Sequence, residues 1–88
     1  MRKRVRFSGR VQGVGFRATA FDIALRFPVT GWVRNEADGS VLMEVQGVEE
    51  AVQGVLEGLR HAMGRNIHGV DEVAIPGVEG EQDFAIRR

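Results

Sequence analysis

Read for apolar and polar positions, the chain divides into strand-like and helix-like stretches in a definite order. From Arg4 to Val11 the pattern alternates, with Val5 and Phe7 on one side and Arg4, Arg6 and Ser8 on the other. That is the period-two signature of a half-buried strand. From Phe16 the spacing changes to three and four, through Ala20, Ile23, Ala24 and Phe27, which stacks side chains along one face of a helix. Pro28 ends that helix, because the residue before a proline is pushed out of the helical region. Val29 to Arg34 is β-rich, Ala37-Asp38-Gly39-Ser40 is a turn signal, and Val41, Met43 and Val45 alternate again. These two runs are expected to pair as a hairpin.

Glu49 and Glu50 stand where carboxylates favour a helix N-terminus, and Val52, Val55, Leu56, Leu59 and Met63 form one apolar stripe that stops at Gly64. Gly54 and Gly58 inside this second helix each cost about 1 kcal/mol relative to alanine. Their spacing lets another backbone approach, with the first helix as the expected neighbour; simple tolerance explains them equally well. Ile67 to Ile75 reads as a strand, Pro76 to Asp83 as a loop, and Phe84 to Ile86 as a short closing strand. The order β-α-β-β-α-β with a tail strand predicts an α+β fold: an α/β sandwich with a mainly antiparallel sheet and both helices on one face. At 88 residues, a single domain spanning 1–88 with one cleft is expected.

Composition narrows the chemistry. The absence of cysteine excludes disulfides, thiolate zinc sites and cysteine nucleophiles. Met1-Arg2-Lys3-Arg4 leads straight into an alternating run, with no apolar stretch long enough for a signal peptide or a membrane span, so a cytoplasmic protein is expected. The net charge of zero hides an asymmetry: residues 1–35 carry eight basic and one acidic side chain, residues 36–88 four basic and eleven acidic. Such a split either focuses a small anion towards the first half or is cancelled when the halves interleave on folding. Overall neutrality argues against a nucleic-acid partner that relies on a broad basic face.

The first half also holds the most distinctive stretch, Ser8 to Arg17, S-G-R-V-Q-G-V-G-F-R. Glycines let a backbone take positive φ and approach a ligand, and amides at the start of a helix have no intrahelical partner. A phosphate-sized oxyanion satisfies them, and the forked cation of Arg17 adds bidentate contacts. A glycine-rich connection that binds nothing also explains the glycines, but not the arginines flanking them. Gly13 to Ala18 also fits G-x-G-x-x-A, yet that dinucleotide fingerprint needs a parallel βαβ unit in a larger sheet, and a hairpin follows here.

A second constellation, G-W-V-R-N at Gly31 to Asn35, ends in an asparagine whose side chain offers a donor and an acceptor, enough to hold a water. Its ordinary reading is a turn residue before a hairpin. From Ser8 to Asn35 the one carboxylate is Asp22, and no histidine or lysine occurs. His61 and His68 lie seven residues apart without metal-ligand spacing, so no metal or other cofactor is expected. A hydrolase without a base needs a leaving group that departs unprotonated, as the carboxylate of a mixed carboxylic-phosphoric anhydride does.

The stretches Gly9 to Arg17 and Gly31 to Val41, G-W-V-R-N-E-A-D-G-S-V, resemble the two signatures of the acylphosphatase family, as do Val45-Gln46-Gly47 and the ending Phe84-Ala85-Ile86-Arg87. The resemblance implies a ferredoxin-like sandwich and a monomeric hydrolase. It splits small acyl phosphates into a carboxylate and inorganic phosphate, with sulfate as an analogue of the product and no metal or covalent intermediate. By the same resemblance Arg17 and Asn35 are catalytic, and Gln12, Gly13, Val14, Gly15 and Phe16 join Arg17 in holding the phosphate, which itself accepts the water's proton. Phe27-Pro28 and Arg88 depart from the family's usual helix end and aromatic terminus. The alternative is a non-catalytic anion-binding module of the kind built into larger enzymes that handle carbamoyl phosphate. An RNA-binding sheet of the same topology would need exposed aromatics on its central strands, whereas Phe7 shares a face with Val5 and the third strand offers Met43.

Overall fold

The computed structural model describes residues 1–88. β1 (Arg2–Gly9) is followed by α1 (Phe16–Ala24), β2 (Thr30–Asn35), β3 (Val41–Gln46), α2 (Glu49–Met63), β4 (Ile67–Ile75) and β5 (Phe84–Arg87). One sheet is formed in the order β4-β1-β3-β2-β5. β1 pairs antiparallel with β3 and β4, β2 pairs antiparallel with β3, and β2 and β5 run parallel. The mainly antiparallel α+β sandwich is the one the hydrophobic pattern predicts.

The alternation along the strands decides which face meets the helices. Val5, Phe7, Val33, Val41, Met43 and Val45 point one way and join Phe16, Ala20, Ile23 and Ala24 of α1 with Val52, Val55, Leu56 and Leu59 of α2 in a single apolar cluster. Phe7 and Phe16 meet at a ring-centroid distance of 4.9 Å, tilted by 52°. That contact ties the first residue of α1 to β1 across the loop between them. A Cβ on Gly54 would lie 2.3 Å from Phe27 Cε1, and one on Gly58 3.0 Å from Ile23 Cγ2. The two glycines of α2 therefore make room for the side chains of Phe27 and Ile23, and it is these side chains, not the neighbouring backbone expected from the glycine spacing, that come close.

Element ends differ from the pattern in two places. α1 closes at Ala24, because the amides of Arg26 and Phe27 donate to the carbonyls of Ile23 and Ala24, three residues back. This tightened turn, ahead of the ring of Pro28, replaces the last turn of helix that the Phe27 spacing suggested. β1 begins at Arg2 and ends at Gly9, where the register against β4 shifts, so Val11 lies beyond the strand.

The other face of the sheet is built from charge. Arg2 is only 3% exposed. Its Nε donates to Glu44 Oε1 at 2.9 Å and its Nη1 to Glu81 Oε1 at 2.7 Å and Gln46 Oε1 at 3.1 Å. Glu44 also accepts from Arg4 Nη2 at 2.6 Å. Gln46 clasps Val78, accepting from its amide at 2.7 Å and donating to its carbonyl at 3.0 Å, so the segment after β4 is strapped over this face. Contact with Arg2 holds the Glu81 carboxyl below the usual carboxylate range. Burial alone would raise Glu44, yet its bonds from Arg4 and Arg2 outweigh burial and lower it. Arg2 is raised in turn, chiefly by Glu81. Trp32, on the same face, lies beneath the guanidinium carbons of Arg34 and Arg87, 4.8 and 4.7 Å from its ring centroid. Phe7 faces the core, 1% exposed.

The charge asymmetry is largely cancelled in space. Arg2, Lys3, Arg4, Arg6 and Arg34 all form ion pairs with carboxylates from the second half of the chain. Arg10, Arg17 and Arg26 form none.

Candidate active site

Because β1, β2 and β5 run in the same direction, their C-terminal ends come out at one edge of the sheet, beside the start of α1. The cleft there has a volume of about 320 Å³. Its lining combines Gly13, Gly15, Phe16, Arg17 and Ala18 from the loop and first turn of α1 with Asn35 from β2, Ile86 from β5 and Arg88 just beyond it.

The loop takes its shape from glycine. Gly13 and Gly15 have φ of 74° and 78°, and nothing stands within 4 Å of where their Cβ atoms would be. Gly15 is the N-cap of α1, with no side chain capping it and no acidic residue in the first turn. None of the amides from Gln12 to Ala18 donates a hydrogen bond within the protein. They gather at the positive end of a helix and over open space, an arrangement that favours an anion.

Side chains lock this loop in place. Gln12 Nε2 donates to the carbonyls of Glu36 at 2.7 Å and Ser40 at 2.9 Å, fastening the loop to the β2–β3 hairpin. Asp38 closes the hairpin by accepting from the hydroxyl of Ser40 at 2.6 Å and its amide at 3.0 Å, contacts that lower the Asp38 carboxyl. Arg17 Nη1 donates to the Arg87 carbonyl at 3.2 Å, which aims the guanidinium across the cleft mouth to the end of β5. The rest of its fork is open.

Asn35 Oδ1 is buried and has no hydrogen-bond partner, the one side-chain nitrogen or oxygen in the protein of which this is true. Buried polar atoms are nearly always paired, so Asn35, a residue of the cleft lining, carries acceptor capacity that the fold itself leaves unused.

The residues singled out in the sequence fall in different places. Gly13, Gly15, Phe16, Arg17 and Asn35 line the cleft. Gln12 and Val14 do not: Gln12 turns its side chain to the hairpin, and Val14 is 42% exposed. Arg10 is also outside the lining. Val11, Ala18, Ile86 and Arg88 line it without having been singled out. Ile86 and Arg88 are brought there by the parallel pairing of β5 with β2, which sets Arg87 against Arg34, one residue short of Asn35, and which no local sequence signal marks. No three His, Asp or Glu side chains gather as a metal-holding group, and no helix is long and apolar enough to cross a membrane.

Fold and cleft together define an α/β sandwich equipped to receive an oxyanion at its strand ends. The sequence profile of the acylphosphatase family matches residues 3–86, and the chain belongs to that family. An acylphosphatase of Rhizobium etli is 56% identical over 84 residues, covering 94% of this chain and 89% of its own. One from Salinibacter ruber is 39% identical over 94% of this chain and 88% of its own. The crystal structure of the acylphosphatase from Bacillus subtilis matches with a TM-score of 0.87 at 29% identity, covering 99% of this chain and 98% of that one.

Proposed function

We propose that this cleft hydrolyses small acyl phosphates, with Arg17 and the amides of residues 12–16 holding the phosphoryl group and Asn35 orienting the attacking water. The observation that carries this reading is the orphan Asn35 Oδ1, which shares one cleft with Arg17 and a run of unpartnered amides. Arg17 and the amides neutralise charge on the equatorial oxygens, and Asn35 accepts a hydrogen bond from the water and so turns a lone pair towards phosphorus. As the P–O bond to the acyl group breaks, the carboxylate leaves with the electron pair and needs no proton at neutral pH.

The water's proton goes to a phosphate oxygen. In support, the titratable side chains lining the cleft are Arg17 and Arg88, and arginine does not act as a base. Two expectations accompany this reading, a monomeric state and a cytoplasmic location.

The test is hydrolysis of benzoyl phosphate in the presence of EDTA by the wild type, Arg17→Ala and Asn35→Ala. Fast, chelator-resistant turnover is expected, with Asn35→Ala slowed about 10²-fold while inorganic phosphate still binds. Loss of phosphate binding in Asn35→Ala would instead make Asn35 part of the cradle.

A second reading has its own support. The crystal structure of HypF from T. kodakarensis matches at a TM-score of 0.85 and 26% identity, this chain spanning 12% of it, so the same sandwich serves inside a much larger protein. A non-catalytic anion-binding module would bind phosphate and stabilise against unfolding without turning over any acyl phosphate.

A further inference from the structure

A second concavity adjoins the cleft. It has a volume of about 560 Å³ and lies between α1 and β5, with Phe21, Leu25, Phe27, Phe84 and Ile86 among its walls. Asp83, at its far end, is the one charged residue lining it. Ile86 lines both this groove and the cleft, so the two are adjacent and meet at that side chain.

The adjacency follows from helix and strand periodicity. Arg17 and Ala18 face the cleft; Phe21 is one turn further along α1 and Leu25 one turn beyond that, so the same flank of the helix passes from cation to apolar surface over roughly 10 Å. On the strand side, Ile86 pairs with Val33 and Phe84 with Gly31. The groove therefore runs along β5 away from the level of Asn35. Two of its large apolar side chains are left open, Leu25 at 64% and Ile86 at 43% exposed. A volume of this size is in the range of small-molecule sites.

We infer that this groove is the seat of the acyl group, and that the substrates it favours are acyl phosphates with an uncharged apolar acyl portion, an aromatic ring or a chain of several methylenes. The inference rests on the proposed hydrolysis in the adjoining cleft. A phosphate held at Arg17 with water at Asn35 sends its leaving group away from Asn35, and the apolar surface in that direction begins at Ala18 and Ile86. Asp83 disfavours an acyl group ending in a second carboxylate.

Two readouts test it. The first is kcat/KM for hexanoyl phosphate against acetyl phosphate; the second is the Kd of hexylphosphonate against methylphosphonate, which needs no chemistry. Each methylene fully covered is worth about fourfold, so with one side of the groove open a preference of at least about tenfold for the longer chain is expected in both. Leu25→Asn should reduce that preference severalfold and leave acetyl phosphate turnover and the unfolding midpoint near wild type, while Leu25→Met should retain it. Equal values for short and long chains, or a preference untouched in Leu25→Asn, would overturn the groove. A chain-length preference for phosphonates with no hydrolysis of either acyl phosphate would leave the groove standing and remove the proposed reaction.

Discussion

Arg2 and Arg17 are handled in opposite ways by one small fold. Arg2 stands where β1 begins, almost wholly buried, with Glu44, Glu81 and Gln46 on its guanidinium. Arg17 stands near where β1 has ended, partly exposed, bonded to one backbone carbonyl and to no carboxylate. Around Arg2 every charge is answered. Around Arg17 there are unpartnered amides, an orphan amide oxygen and two positive-φ glycines. A charge already paired lends rigidity but can do nothing for a ligand, whereas one left open is available at the price of local stability.

The largest effect expected from this contrast is on turnover. Arg17→Ala should lower kcat/KM by about 10²- to 10³-fold, and Arg17→Lys should not restore it fully because the fork is lost. The unfolding midpoint should scarcely move, since Arg17 makes one exposed hydrogen bond. Near-wild-type hydrolysis by Arg17→Ala would remove Arg17 from the reaction.

Arg2→Ala should do the reverse. Removing one partner from a buried charge network leaves the others desolvated, a loss of about 3 to 5 kcal/mol. The lower end is expected, because Glu44 keeps Arg4 and Glu81 can be rehydrated. Urea denaturation reports the loss, and kcat per folded molecule should be unchanged. If activity fell in step with Arg17→Ala, the two ends would be coupled and the contrast would fail.

Acid should expose the same difference. Glu44 and Glu81 have carboxyl groups lowered in the folded protein. The stability they contribute is therefore fully present above the unfolded carboxylate value, near pH 4.3, and is lost as pH falls through their folded values. Urea midpoints should drop as pH falls below about 5. In Arg2→Met this acid-dependent drop should be smaller, because one of the cations that lowers them is gone. A drop of equal size in both proteins would show that other groups carry the acid sensitivity.

How much of this could be read from the sequence depends on how far apart in the chain the partners lie. The glycine loop, Arg17 and the start of α1 are contiguous, so their geometry follows from local rules, and Asn35 is marked by the hairpin turn that follows it. Arg88 and Ile86 reach the cleft only because β5 pairs parallel with β2, a contact between distant segments with no local signature. Arg2 was indistinguishable from Arg4 and Arg6, its neighbours on the alternating face. Its burial depends on the segment after β4 folding back, with Glu81 and the Gln46 clasp on Val78 holding it there. The end of α1 was misplaced because apolar spacing continues to Phe27 whether the last turn is α-helical or tightened.

The smallest effect sharpens the contrast most. Gly15 has open space where a Cβ would go, so Gly15→Ala meets no clash and is opposed only by its φ of 78°. Holding an alanine in the left-handed region costs about 1 to 2 kcal/mol. The loop has two ways to accommodate it: keep its shape and lose that stability, or relax its backbone and keep the stability. In the first case phosphate affinity is nearly retained and the urea midpoint falls; in the second the midpoint holds and phosphate binding weakens, because the amides around Gly15 no longer converge. The loop is fastened by Gln12 to the hairpin on one side and by Phe16 to Phe7 on the other, so the first outcome is expected. Measuring both quantities on Gly15→Ala, on Gln12→Ala and on Gln12→Ala,Gly15→Ala decides the matter. Set against Gln12→Ala alone, which loses the stability of its own two hydrogen bonds, the double variant should take the second course: in that background Gly15→Ala should cost less stability and more phosphate affinity than it does in the wild type.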